Sequence, residues 1–280
     1  MQLRPHLAPF FQVDAFTTTP LSGNPAAVVV LAQDNDLPDT ILMAIAAENN
    51  LPETAFLFPQ EQDGAYRLRW FTPSVEVELC GHATLAAAWV VFNHLEPQRT
   101  DALTFETRFR GDLRVDRSGS MLAMDLPRVR YTRREHMPDL QAALGVEHVL
   151  HFLDGEKPTG VLQTEEEVVS LKPDLHAIAQ LDAFGVGVTA PSSIPNIDYV
   201  GRFFAPAKSI PEDPVTGSLH AMLGPYWMAQ FNASSVRASQ RSSRGGYLEV
   251  EAAAEADRVL IRGSVVGVIE GRFRLPLPLR

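Results

Sequence analysis

Apolar positions recur along this chain with two different periods, and the alternation between them marks out the elements. Phe10–Phe16 and Val28–Leu31 are β-rich runs. From Pro38 to Asn49, Ile41, Ile45 and Ala46 fall at helical spacing behind Asp39, which predicts a helix. Thr54–Phe58 and Tyr66–Phe71 read as strands, the second with Tyr66, Leu68 and Trp70 on one face. Gly81–Asn93 is Ala-rich and more than ten residues long, so it reads as an apolar helix. Leu103–Arg108, Asp112–Asp116 and Met121–Leu126 read as short strands with turns between them, Ser118-Gly119 being one. The plan then repeats: a helix near Pro173–Leu181, strands near Gly185–Thr189 and Tyr199–Phe204, an apolar helix near Gly217–Phe231, and strands at Tyr247–Glu251 and Arg258–Gly263. Pro127 to Arg134 reads as the crossover between the two sets.

The repetition is also visible residue by residue. Arg69-Trp70-Phe71-Thr72-Pro73 resembles Arg202-Phe203-Phe204-Ala205-Pro206, at an offset of 133 residues. Leu37-Pro38-Asp39 with Ala44-Ile45-Ala46 resembles Leu171-Lys172-Pro173-Asp174 with Ala177-Ile178-Ala179. Arg110-Gly111 with Leu113 and Val115 resembles Arg244-Gly245 with Leu248 and Val250. The reading is therefore two α+β halves, residues 1–126 and 127–280, each near the usual size of a domain. A chain built this way is expected to form its site at the seam between the halves. Aligned without a gap, Cys80 falls on Asp213.

Composition narrows the function classes. A formal charge of −10 and a pI near 5.3 argue against a nucleic-acid footprint, which needs a basic face. One cysteine excludes an internal disulfide and fits a reducing compartment. The first twelve residues carry no charged-then-apolar signal pattern, and the longest apolar stretches fall short of a membrane span, so a soluble cytoplasmic protein is expected. The glycine-rich nucleotide loops, the Gly-x-Ser-x-Gly elbow and zinc spacings are absent from the sequence, and His148 and His151 read as a solvated pair.

Three segments carry candidate chemistry. Cys80-Gly81-His82 sits where strand gives way to apolar helix, and helix N-termini expose unpaired amides that bind anions. Against this stands the plain reading of a lone cysteine as an inert core residue. Glu212-Asp213-Pro214-Val215-Thr216-Gly217-Ser218 is the counterpart, with Thr216 or Ser218 as helix cap and the amides of Gly217 and Ser218 as a second anion cradle; an ordinary capped helix start is the alternative. His220, one turn into that helix, reads as a core or surface histidine. Glu53, in Asn49-Asn50-Leu51-Pro52-Glu53-Thr54, stands at a turn from which a carboxylate can act as acid and base. Its position in the second half is held by Val186, so it has no twin.

At these motifs the chain resembles the phenazine-biosynthesis-like (PhzF-like) isomerases of the diaminopimelate epimerase fold. The matching stretches run in the family's order: Asp14-Ala15-Phe16, Gly23-Asn24-Pro25-Ala26-Ala27-Val28, Asn50-Leu51-Pro52-Glu53-Thr54-Ala55-Phe56, Arg69-Trp70-Phe71-Thr72-Pro73, Cys80-Gly81-His82-Ala83-Thr84, Arg202-Phe203-Phe204-Ala205-Pro206, Glu212 through His220, and Gln240 through Gly246. The resemblance implies two halves, each a curved, mostly antiparallel sheet around a central helix, and allows the last strand, about 265–280, to return to the first half. It implies cofactor-free proton transfer on a small carboxylic acid, with no metal. Glu53 would be the acid–base residue, His82, Asp213 and Ser218 would line the site, and Gly81 and Gly217 would offer amides to the substrate. A homodimer is also implied. The related epimerases use two opposed thiols; the ungapped alignment gives this chain Cys80 and Asp213 in those places, which favours isomerisation by one carboxylic acid. The competing readings are a racemase or epimerase with Cys80 and Asp213 as its two bases, and a metabolite-binding protein without chemistry.

Overall fold

The computed structural model describes residues 7–32, 37–60 and 64–276. The expectations for residues 1–6, and for 277–280 at the end of the last strand, lie outside these residues. In chain order the elements are β1 (Leu7–Ala15), β2 (Asn24–Val30), α1 (Asp39–Asn49), β3 (Glu53–Pro59), β4 (Ala65–Phe71), β5 (Glu76–Val77), α2 (Gly81–Val90), β6 (Leu103–Thr107), β7 (Gly111–Ser118) and β8 (Met121–Pro127). There follow β9 (Tyr131–Arg134), α3 (Pro138–Leu144), β10 (His151–Gly155), β11 (Thr159–Val161), α4 (Glu165–Ser170), α5 (Leu175–Ala179), β12 (Val186–Pro191), β13 (Tyr199–Phe204), α6 (Gly217–Phe231), β14 (Ser235–Gln240), β15 (Gly246–Ala252), β16 (Arg258–Gly263) and β17 (Val265–Arg274). A π-helical turn at Val91–Leu95 ends α2, and a 3-10 turn at Pro206–Lys208 follows β13.

The chain divides into two compact units: the residues to Met124 together with those from Gly263, and Asp125–Arg262. In the first, the strands neighbour one another in the order β17-β1-β2-β3-β4-β6-β7-β8. The pairings β2–β3 and β4–β6 are parallel and the rest are antiparallel. In the second, the order is β9-β10-β11-β12-β13-β14-β15-β16, with β11–β12 and β13–β14 parallel and the rest antiparallel. The two sequences of parallel and antiparallel steps are identical. Each parallel step needs a crossover. Helix α1 fills the first crossover in one unit, and α4 and α5 fill it in the other. The second crossover is filled by α2 and by α6.

Those two crossover helices are apolar on every side, the pattern of a helix enclosed by its neighbours. His82 through Ala88 and Val90 of α2 are buried, and the helix packs on β1, β2, β3 and β17. Leu219 through Met228 of α6 are buried, and it packs on β14 and β15. Gly224 permits that second contact: a Cβ there would lie 2.3 Å from Val250 Cγ1. By contrast α1 buries only Leu42, Ile45 and Ala46, against Phe56, Phe58 and Phe71. No helix among the described residues is long and apolar enough to cross a membrane.

Two expectations are corrected here. Pro127 to Arg134 is not wholly a crossover, because Tyr131–Arg134 forms β9; its polar, largely exposed residues carry no alternation to read. Nor are His148 and His151 a solvated pair: His148 is exposed, but His151 is buried with its Nε2 3.0 Å from the Tyr226 hydroxyl.

Candidate active site

Glu53 opens β3, paired in parallel register with Ala26 of β2. The turn before it is fixed by Asn50 in the left-handed region (φ 49°), which asparagine tolerates, and by Asn49 Nδ2 donating to Thr54 Oγ1 at 3.0 Å. Cys80 is the residue before α2, and its carbonyl accepts from both the amide (3.0 Å) and the hydroxyl (2.7 Å) of Thr84. The strand end and the helix start bring Glu53, Cys80 and His82 together.

His82 Nε2 lies 3.2 Å from Glu53 Oε2, and Cys80 Sγ lies 3.5 Å from His82 Nδ1. All three residues are buried, at 9%, 7% and 6% exposure for Glu53, Cys80 and His82. Burial pushes the Cys80 thiol up to about 11, and the Glu53 charge adds to the effect, so the sulfur stays protonated near neutrality. Burial alone would lower the His82 value, but the Glu53 carboxylate 3.2 Å from Nε2 holds it above that of an ordinary histidine. The cluster thus sets a carboxylate beside an imidazole that favours its charged form, an arrangement able to exchange a proton. One donor atom from each residue falls within 4.8 Å of the others, a sulfur, nitrogen and oxygen set suited to a divalent metal ion.

In the second unit, Asp213, Thr216, Gly217 and Ser218 share one loop and helix start. The Asp213 amide donates to Phe203 O at 3.0 Å, and its carboxylate accepts from the Thr216 hydroxyl. Gln240, at the end of β14, holds this loop: Oε1 accepts from the Thr216 amide at 2.9 Å, and Nε2 donates to Asp213 O at 2.8 Å. Behind it, His220 Nε2 lies 3.1 Å from Gln240 Oε1 and His220 Nδ1 lies 2.8 Å from the Tyr199 hydroxyl. Burial lowers His220 to about 4, so the ring is neutral. Gln240 Oε1 can only accept, so the neutral ring carries its proton on Nε2 and accepts from Tyr199 on Nδ1. His220 is therefore a core histidine. The expected side-chain cap on α6 is absent, because the Thr216 hydroxyl is turned to Asp213 instead. The first-turn amides of Gly217 and Ser218 are left uncapped, as an anion cradle requires.

The ungapped alignment of Cys80 with Asp213 is corrected. The residue before α2 is Cys80 and the residue before α6 is Thr216. Arg69 grips Glu76 through Nε (2.7 Å) and a terminal nitrogen (2.8 Å), and Arg202 grips Glu212 in the same two-pronged way (2.7 and 3.1 Å). Each glutamate stands five residues before its helix glycine, Gly81 or Gly217. The offset therefore grows from 133 at the arginines to 136 at the helix starts. The sequence offers Thr216 only as a possible helix cap; the repeated residue-glycine step, Cys80-Gly81 against Thr216-Gly217, shows it as the counterpart of Cys80 once a three-residue gap is admitted. Gln240 stands out in the sequence only as the head of the matching stretch Gln240 through Gly246.

A family model described as phenazine biosynthesis-like protein matches residues 13–271. An uncharacterized isomerase of Pseudomonas aeruginosa is 45% identical over 266 residues, which span 95% of this chain and 98% of the relative. The crystal structure of a PhzF-family protein from Enterococcus faecalis superposes with a TM-score of 0.88 at 40% identity, covering 96% of this chain and 100% of that one. A hydroxyproline epimerase from Agrobacterium vitis shares the fold alone, with a TM-score of 0.61 at 9% identity over 99% of this chain and 95% of that one. With one α+β pattern used twice and the family match running through both units, this chain belongs to the phenazine biosynthesis-like protein family.

Proposed function

We propose that this protein is an isomerase that moves a proton between two carbons of a small, unsaturated or ring-bearing carboxylic acid, without a cofactor. The observation that carries the reading is the buried Glu53 carboxylate set against His82, beside a thiol that burial keeps protonated. Glu53 takes the proton of an acidic C–H bond, and the electron pair left behind spreads into the adjoining unsaturated system. Glu53, now a carboxylic acid, returns the proton to a second carbon, so no net charge is gained or lost. His82 supports the carboxylate form of Glu53 and the negative charge that develops on the substrate. The Gly81 amide receives the substrate's carboxylate, and the family resemblance assigns substrate contacts to Asp213, Gly217 and Ser218, which share one loop and helix start. The family resemblance adds a homodimer, to be tested by light scattering of the purified protein.

The functional test is deuterium uptake, followed by mass spectrometry, from a panel of unsaturated and aromatic-precursor carboxylic acids in heavy water. Losing a general acid–base group costs about a hundredfold or more, so Glu53→Gln is expected to lose uptake by at least that factor. Cys80→Ser, which removes a group that is not carrying the proton, is expected to keep most of it. Full uptake in Glu53→Gln would remove Glu53 from the mechanism. Loss confined to Cys80→Ser would move the chemistry to the thiol and to racemisation.

A further inference from the structure

We propose that Glu53, Cys80 and His82 form a zinc site, and that zinc bound there shuts off the proton transfer. The inhibitory half of this proposal rests on the isomerase reading; the metal site does not. Each residue supplies one ligand type that zinc takes: a thiolate sulfur, an imidazole nitrogen and a carboxylate oxygen. Zinc bonds of about 2.3 Å to sulfur and about 2.0 Å to nitrogen and oxygen place tetrahedral ligand atoms roughly 3.3 to 3.6 Å apart. His82 Nε2 and Glu53 Oε2 already stand 3.2 Å apart, and Cys80 Sγ is 3.9 Å from the same nitrogen. All three donors fall within 4.8 Å of one another, so small side-chain rotations close the set.

A second observation points the same way. Glu53 Oε2 is buried, and its contact with His82 Nε2 at 3.2 Å is an ion pair that falls short of a well-formed hydrogen bond, although a buried carboxylate oxygen ordinarily has one. A cation seated between the three side chains would satisfy it. Charge also closes: zinc displaces the thiol proton of Cys80 and the ring proton of His82, both of which leave to solvent, and the thiolate and carboxylate together neutralise the ion. Three protein ligands leave a fourth position for water or for a substrate carboxylate. Once bound to the metal, the Glu53 oxygen and the His82 nitrogen are no longer available to accept or steer a proton.

Cobalt reads the site directly, because a thiolate bound to it gives a near-ultraviolet charge-transfer band and Cys80 is the only cysteine in the chain. Titration of the purified protein with cobalt is expected to produce that band with one equivalent per chain, and zinc is expected to abolish it by displacement. Cys80→Ser and Cys80→Ala are expected to lack the band. Both are expected to bind zinc more weakly by at least the roughly tenfold that even outer-shell partners cost, measured against a chromophoric chelator. Absence of the band in the folded wild-type protein, or equal zinc affinity in the wild type and both variants, overturns the site. In heavy water, zinc is expected to stop deuterium uptake and a chelator to restore it; uptake that continues at saturating zinc overturns the inhibition. If no acid exchanges in the wild type, the isomerase reading fails, while the cobalt band still decides the metal site.

Discussion

Cys80 and Thr216 hold one position in the two units. Each precedes a buried crossover helix in extended backbone (φ −141°, ψ 105° and φ −109°, ψ 92°), and each is followed by a glycine. The three extra residues of the second unit lie between Arg202 and Glu212, the stretch that forms the 3-10 turn at Pro206–Lys208. Where an opposed pair of bases would need a second thiol, this chain has a hydroxyl, and that hydroxyl is engaged with Asp213. One protonated thiol and one committed hydroxyl make a poor pair of proton carriers, which favours the role proposed for Glu53.

The state of that thiol is measurable. With its pKa near 11, Cys80 is a thiolate far less often at pH 8 than an exposed cysteine, and it is 7% exposed. Alkylation by iodoacetamide at pH 8 is expected to be slower than that of a free thiol by on the order of a hundredfold, and to recover on unfolding in urea. Rapid alkylation of the folded protein would show an activated thiol and favour the racemase.

Packing in the second unit gives an independent test. Nothing can be added at Gly224 without displacing Val250, since all three nearest atoms belong to that side chain. Gly224→Ala is expected to destabilise the protein by about 1–3 kcal/mol in urea denaturation, despite alanine's better helix propensity. Val250→Ala, itself destabilising, is expected to relieve the added clash, so that the double variant is more stable than the sum of the singles. Simple additivity would show that α6 does not rest on β15 through this contact.

The elements with strong periodicity were legible in the sequence. The helix read over Gly217–Phe231 matches α6 end to end, and Tyr66, Leu68 and Trp70 are all buried on one face of β4. What could not be read lacked an apolar signature. β9 is a polar strand that pairs with β10; β17, for which the family resemblance allowed, pairs along the whole of β1 although its residues are only partly buried or exposed. At the site, Glu53 and Cys80-Gly81-His82 were legible as motifs, but their 3.2 and 3.5 Å contacts come from a strand and a helix brought together by tertiary packing. Gln240 was legible only as the head of a matching stretch, because its role depends on Thr216 and His220, each 20 or more residues away in sequence.

The two buried histidines make opposite contributions with pH. His220 has its folded value lowered to about 4 from the usual 6.5, so between these values the unfolded state binds more protons than the folded one. Its stabilisation is fully present above about pH 6.5 and is lost as the pH falls towards 4, amounting to about 3 kcal/mol. His82, being raised, contributes stability that is complete below about pH 6.5 and is lost as the pH rises through its folded value. His220→Gln is expected to be less stable at neutral pH yet to lose less stability than the wild type between pH 6.5 and 4, read from urea midpoints. Parallel curves for the two proteins would show that His220 is not held neutral in the fold.

Gln240 ties that histidine to the loop bearing Asp213, and the tie has a testable energetic form. Gln240→Leu leaves the Thr216 amide, the Asp213 carbonyl and His220 Nε2 each short of a partner, and the groups left unsatisfied are buried or half-buried. Buried polar groups without partners cost about 1–3 kcal/mol each, so a loss of about 2–3 kcal/mol in urea denaturation is expected. Thr216→Val removes only the hydroxyl that reaches Asp213 and lies 3.2 Å from Gln240 Nε2, and is expected to cost about 1 kcal/mol. If Asp213, Thr216, His220 and Gln240 form one network, the two substitutions damage the same structure, and the double variant is expected to fall short of their sum by about 0.5 kcal/mol or more. Strict additivity would mean that Gln240 stabilises β14 and α6 without holding the Asp213 loop. Under the proposed function, Gln240→Leu is also expected to lower the maximal rate of deuterium uptake while Glu53 and His82 are untouched. A fall in stability with no change in that rate would confine Gln240 to a structural role.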